Sequence, residues 1–182
     1  KSKPTQKLAD TPTHFHVETF PEGSYIVVPQ VSSEKRKYIP MGFLDDSVMC
    51  GSQLKIIPDA TLYHFGILES LIHMAWVRVV AGRLRSDYRY SNTLVYNCFV
   101  WPEADEKQRS LIERTAQYIL DARGKYPDSN LAELYNETLM PKELRKAHRE
   151  NDEAVCEAYG FPKDIDEYDI VARLFRLYHN MT

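Results

Sequence analysis

Cysteine is scarce in this chain of 182 residues: Cys50, Cys98 and Cys156 are odd in number and far apart. That spacing argues against a disulfide framework and a four-thiolate zinc site, and it fits a reducing, cytoplasmic compartment. Long apolar runs are missing too. The longest, such as Ile26-Val27-Val28 and Met74-Ala75-Trp76-Val77, fall far short of the roughly 20 residues that span a bilayer. Lys1 to Thr13 are polar and carry no apolar signal-peptide core, so no membrane partner is expected. No Gly-rich strand-to-helix turn is present to cradle a dinucleotide or phosphate. His14-x-His16 is a pair of imidazoles without the further ligands that a metal site needs, so no metal is expected.

What is present is an ordinary globular balance, 43% apolar and 27% charged. The formal net charge of -3 hides an asymmetry. Residues 1–100 carry 11 Lys/Arg against 9 Asp/Glu, and residues 101–182 carry 12 against 17. Overall acidity argues against indiscriminate nucleic-acid binding. It leaves room for a local basic surface on the first half, and it argues against the second half as the main phosphate binder.

The patterning predicts an α+β protein. Its first part, 1–102, reads as mixed or antiparallel strands around a core helix, and its second part, 103–182, as an all-helical domain. Period-2 alternation over 25–31 predicts a strand, and 38–44 a second with an edge or bulge at Pro40 and Gly42. Residues 54–57 form a third. Leu62, Phe65, Leu68, Ile72, Trp76 and Val79 recur at helical spacing, which predicts one helix over 61–80. Two strands follow, 83–90 and 93–99, turning at Ser91-Asn92. Beyond Pro102, helices are expected over 105–123, 131–135, 141–159 and 166–179. The last should bury Ile170, Val171, Leu174, Phe175 and Tyr178.

Two clusters could carry chemistry. In an extended strand Arg83, Arg85, Asp87 and Arg89 would share one face. Forked guanidiniums beside a carboxylate suit base edges in a major groove, since Arg reads guanine acceptors and Asp accepts from the cytosine amino group. The alternative is a solvated face with cross-strand ion pairs. Ser32, Ser33, Lys35 and Arg36 on a polar turn could grip phosphates, or could be a solvated hairpin tip. No catalytic set accompanies them. There is no Gly-x-Ser-x-Gly elbow, no Glu-x-Lys tripeptide of the common restriction-nuclease metal site, and no Pro-Pro anywhere. The Asp/Asn-Pro-Pro-Tyr signature of amino-methyltransferases is therefore absent. A protein-interaction module, with the tail helices as a docking bundle, remains open from the residues alone.

The run Val28-Pro29-Gln30-Val31-Ser32-Ser33-Glu34-Lys35-Arg36-Lys37-Tyr38-Ile39-Pro40-Met41-Gly42-Phe43-Leu44 resembles the target-recognition region of MmeI-like restriction-modification DNA methyltransferases. Trp76-Val77-Arg78, Gly82 through Ser91, Tyr96-Asn97-Cys98-Phe99-Val100-Trp101-Pro102, Leu131 through Tyr135 and Leu144 through His148 follow in the family's order. Gln30 stands where the family often has Arg. The resemblance implies a recognition domain plus helical C-terminal domain that binds double-stranded DNA, with Arg85-x-Asp87 reading a base. It also implies an adenine methyltransferase domain, with its S-adenosylmethionine, elsewhere in the same parent chain. Magnesium would accompany a nuclease domain where one is present. This chain itself would need no cofactor and catalyse nothing.

Overall fold

The computed structural model describes residues 3–9, 11–13 and 21–181; His14 and His16 lie outside them. A short helix α1 (Lys3–Leu8) precedes two three-stranded antiparallel sheets. The first pairs β1 (Tyr25–Pro29) with β3 (Gly42–Leu44) and β4 (Leu54–Pro58), in the order β3-β1-β4. The second joins β2 (Val31–Ser32), β5 (Gly82–Leu84) and β6 (Asp87–Arg89), in the order β2-β6-β5. Gln30 stands between them. Its N–H donates to the Gln53 carbonyl at 2.8 Å, and its own carbonyl accepts from Tyr90 N–H at 2.8 Å. One extended segment thus leaves one sheet and enters the other at a single residue.

The strand expected over 38–44 is real only at 42–44. Tyr38, Ile39 and Met41 are buried, but the Tyr38 hydroxyl bonds to Asp152 and the Met41 backbone to Glu69 and Arg123 instead of a ladder. The helix expected over 61–80 is two: α2 (Leu62–Leu68) and α3 (Leu71–Val80). Ser70 breaks it. Its Oγ donates to Ile67 O at 2.6 Å and accepts from His73 N–H at 3.3 Å, so it caps the second helix. The strand expected over 93–99 is instead a π-helical turn, Asn92–Tyr96, capped by Ser91. The Val95 carbonyl accepts from the Trp76 indole at 3.0 Å, which ties this turn to α3.

The four tail helices form as the pattern predicts: α4 (Glu106–Gly124), α5 (Leu131–Leu134), α6 (Lys142–Ala158) and α7 (Glu167–Met181). Asp105 and Asn130 cap the first two through Gln108 N–H and Glu133 N–H. Leu144, Ala147, Ala154, Val155 and Ala158 of α6 are all buried. In α7, Ile170 and Leu174 are buried, but Phe175 stays 42% exposed while leaning on Trp76. Helix α4 packs on both α2 and α6, so one hydrophobic core runs through both halves of the chain. At Gly66 of α2 that packing is so close that a Cβ would sit 2.6 Å from Ile112 Cγ2.

A buried polar network fills the break between α2 and α3. Glu69 is fully buried. Its Oε1 accepts from Met41 N–H at 2.7 Å and from Arg123 Nη2 at 2.8 Å. Arg123 also donates to Met41 O at 2.6 Å and to the Tyr135 hydroxyl. Tyr135 reaches His148 Nε2 at 2.7 Å, and Tyr38 stacks on the His148 ring at 4.0 Å. Tyr38 then donates to Asp152 Oδ2 at 2.6 Å, and Asp152 Oδ1 accepts from Leu71 N–H at 2.7 Å. Burial raises the Glu69 carboxyl, against the pull of Arg123 and the Met41 N–H. Burial also drives His148 well below the ordinary histidine range, so it is neutral at physiological pH.

Burial pushes the Asp152 carboxyl up to about 6, against the Tyr38 hydroxyl and the Leu71 N–H. The folded state therefore holds this proton more tightly than the unfolded chain does. The associated stability is complete below about pH 4 and is lost as pH rises through about 6. Relative to Asp152→Asn, the unfolding free energy of the wild type should fall by roughly 2–3 kcal/mol between those limits. Urea unfolding across pH measures it, and parallel pH profiles would contradict it. Gly66→Ala should cost about 1–3 kcal/mol through overpacking, read by the same assay.

Candidate nucleic-acid interface

The second sheet brings the two predicted clusters together. Strand β2 pairs with β6, placing Val31 opposite Arg89 and Ser32 opposite Tyr88. Strand β5 pairs with β6 on the other side, with Arg83 opposite Tyr88 and Leu84 opposite Asp87. The run 83–89 is therefore a hairpin, not the single strand expected from alternation, and its four charged residues do not share a face. Arg85 and Ser86 make a two-residue turn. Arg85 sits at φ +58, a left-handed conformation that glycine usually fills at the first position of such a turn. Holding a long side chain there costs about 1–2 kcal/mol.

Arg83 and Tyr88 are cross-strand partners on one face. The Arg83 guanidinium lies 4.0 Å from the Tyr88 ring centroid, donates to Ser86 O at 2.9 Å and reaches Arg78 O at 3.5 Å. It braces the hairpin. Asp87 and Arg89, two apart on β6, project to the opposite face. Arg85 at the tip and Arg89 are exposed, and Asp87 is half-buried. Buried Tyr88 and Tyr90 anchor β6 to the core. The Tyr90 hydroxyl lies 3.0 Å from His73 Nε2, and burial lowers His73 to about 3, so it stays neutral.

The 33–36 segment folds as a tight turn, with Arg36 N–H bonded to Ser33 O at 3.1 Å. Glu34 N–H points at Asp87 Oδ1, 3.4 Å away, so this turn abuts the hairpin. Lys35 is exposed and Arg36 half-buried. Ser32 departs from expectation as a contact residue: it is 2% exposed, and its Oγ accepts from Arg36 Nη1 at 3.4 Å. Pairing with β6 turns that side chain inward. Ser33 Oγ faces Lys35 N–H at 3.4 Å and shapes the turn.

Beside the turn lies a groove of about 550 Å³ between residues 34–38 and helices α5–α6. Its walls include Lys37, Arg145 and Arg149, none of which was in the predicted set. The available signal was the i, i+4 spacing of Arg145 and Arg149, which puts both on one face of α6. Only the fold brings that face to the turn.

Residues 1–103 match the family model of the MmeI target recognition domain, and residues 104–182 match that of the MmeI C-terminal domain. The chain belongs to the MmeI family. DNA methyltransferase A of Bacillus subtilis (strain 168) is 44% identical over 181 residues, which is 99% of this chain and 20% of that protein. The solved structure of the Type IIL restriction-modification enzyme MmeI in complex with DNA superposes with a TM-score of 0.94 at 44% identity. That match covers 100% of this chain and 24% of the other. This MmeI-family chain thus spans about a fifth to a quarter of the length of these relatives.

Within the MmeI-family hairpin, tip and brace should separate on mutation. Arg85→Gly should leave stability unchanged or raise it by up to about 1 kcal/mol, because it removes left-handed strain. Arg83→Ala should cost about 1 kcal/mol by removing a hydrogen bond and a ring contact. Urea midpoints of the two variants test this, and the reverse order would refute the assignment.

Proposed function

We propose that this chain is the sequence-recognition segment of a restriction-modification, adenine-specific DNA methyltransferase, and that its β5–β6 hairpin reads duplex DNA. The observation that carries the reading is the exposed Arg85 tip, with Asp87 and Arg89 on one face and the Lys35–Arg36 turn alongside. A two-stranded ribbon fits a major groove about 12 Å wide. Arg85 or Arg89 would donate two hydrogen bonds to guanine, and Asp87 would accept from a cytosine amino group. Lys35 and Arg36 would hold phosphates and set the register. Membership of the family and the likeness to an enzyme solved with DNA support this reading.

The residues here do not suit S-adenosylmethionine. Half of the twelve residues lining the groove beside the turn are Lys or Arg, a poor setting for a sulfonium cation, and no Gly-rich turn is available. We assign the methyl donor to a methyltransferase domain elsewhere in the same bacterial, cytoplasmic polypeptide. Magnesium would accompany a nuclease domain where one exists. That methyltransferase domain would turn an adenine out of the stack, and the present segment would place it over the right base. Among the described residues no helix is long and apolar enough to cross a membrane.

Mapping methylated adenines genome-wide, in cells expressing the complete polypeptide, tests the proposal. Arg85→Ala or Asp87→Ala should cost roughly 1–3 kcal/mol at the cognate site and make one position of the methylated motif degenerate. An unchanged motif in both variants would remove these residues as base readers.

A further inference from the structure

We infer that the groove between the 34–37 turn and helix α6 is a seat for a backbone phosphate of the bound duplex, formed jointly by the two halves of the chain. This rests on the DNA-recognition reading above and adds a second contact surface to it. Six cationic side chains line the groove against two carboxylates, Glu34 and Glu137. This stands out because the helical half is acidic overall. The positive charge is concentrated at one place where the two halves meet.

The donors differ in what they are free to do. Arg145 is tied to Met140 O at 3.0 Å and Glu137 O at 2.8 Å, so it orders the entry to α6. Arg78 is paired with Glu167 at 2.6 Å. Arg149 and the Lys35 ammonium make no ion pair or hydrogen bond with any described residue. Lys37 lies over the Tyr38 ring, 5.3 Å away, makes no ion pair with a described residue, and acts through its charge on buried Asp152 and His148. Unpartnered cations in a concave wall focus field lines and favour an anion. The floor cannot compete for it, because the Tyr38 and Tyr135 hydroxyls already serve Asp152 and the Glu69–His148 network.

Position decides which anion. The Glu34 end of the groove is the residue whose N–H faces Asp87 on the reading hairpin. A duplex held by that hairpin brings its sugar-phosphate edge to the groove, where Arg149 and Lys37 close on one phosphate from the two sides. Such a contact adds affinity without sequence information. It would also fix the angle between the duplex and the helical half.

The test uses the complete polypeptide with a cognate and an unrelated duplex, titrated by fluorescence anisotropy between about 50 and 200 mM salt. The double variant Arg149→Ala, Lys37→Ala should weaken both duplexes by the same factor, about fivefold to tenfold, and flatten the slope of log K against log salt by about one. Arg149→Lys, with Lys37 intact, should restore the slope, and the methylated motif should stay unchanged throughout. Unchanged affinity and slope in the double variant, while Arg85→Ala still degrades the motif, would overturn the groove and leave the recognition reading standing. A loss confined to the cognate duplex would also overturn it. Failure of the wild type to bind any duplex in a salt-dependent way would end both readings.

Discussion

Glu69 is a carboxylate with no access to water, and the arrangement of the chain turns on how it is satisfied. Its side chain accepts hydrogen bonds from the 38–41 loop and from α4, and its backbone carbonyl lies 3.2 Å from His148 Nδ1 on α6. A buried ion pair of this kind gives little net stability over a well-packed apolar core. Removing one partner is another matter: an uncompensated buried charge costs about 3–5 kcal/mol. The network therefore fixes which pieces meet, since any packing that separates Glu69 from Arg123 or Met41 leaves a charge or a backbone group bare. The loop, the α2–α3 break and the three helices α4, α5 and α6 are held to one arrangement by that penalty.

The hairpin inherits its placement from this frame. Helix α3 starts where Asp152 and Ser70 cap it, and it ends directly at β5. His73 and Trp76 on that helix fix Tyr90 and the π-helical turn beneath the second sheet. The exposed tip can tolerate a strained Arg85 because Tyr88, Tyr90 and the Arg83 brace determine the backbone on both sides of it.

Helices were the legible part of the sequence. Those beyond Pro102 emerged close to expectation because Asp105, Asn130 and Gly160 are local signals, and a 3.6-residue stripe does not depend on partners. Most of the errors share one cause. Tyr38, Met41, Glu69 and Val95 have backbone or side-chain groups bonded to distant elements, and such bonds leave no local pattern; the Ser70 cap is local but interrupts an otherwise continuous apolar stripe. The same holds for the interface. Alternation identified the charged residues of 83–89 but placed them on one strand, whereas a positive φ at Arg85 turns the chain back and sends Arg83 to the opposite face. Ser32 looked like a surface hydroxyl until its pairing with Tyr88 turned it inward.

Gln30 joins the two sheets, its N–H bonded to Gln53 just before β4 and its carbonyl to Tyr90 just after β6. The protein therefore has very different tolerances a few ångströms apart. Side chains have period two along a strand, so one residue gained or lost between Pro29 and Ser32 would reverse every face that follows and pull buried Ser32 and Tyr88 out of register. The tip, by contrast, ends in solvent, and exchanging one side chain for another there disturbs nothing beneath it. A lineage carrying this fold can drift readily in what the hairpin presents, while the length of the segment feeding it stays frozen. The part that varies and the part that cannot are joined at one peptide unit.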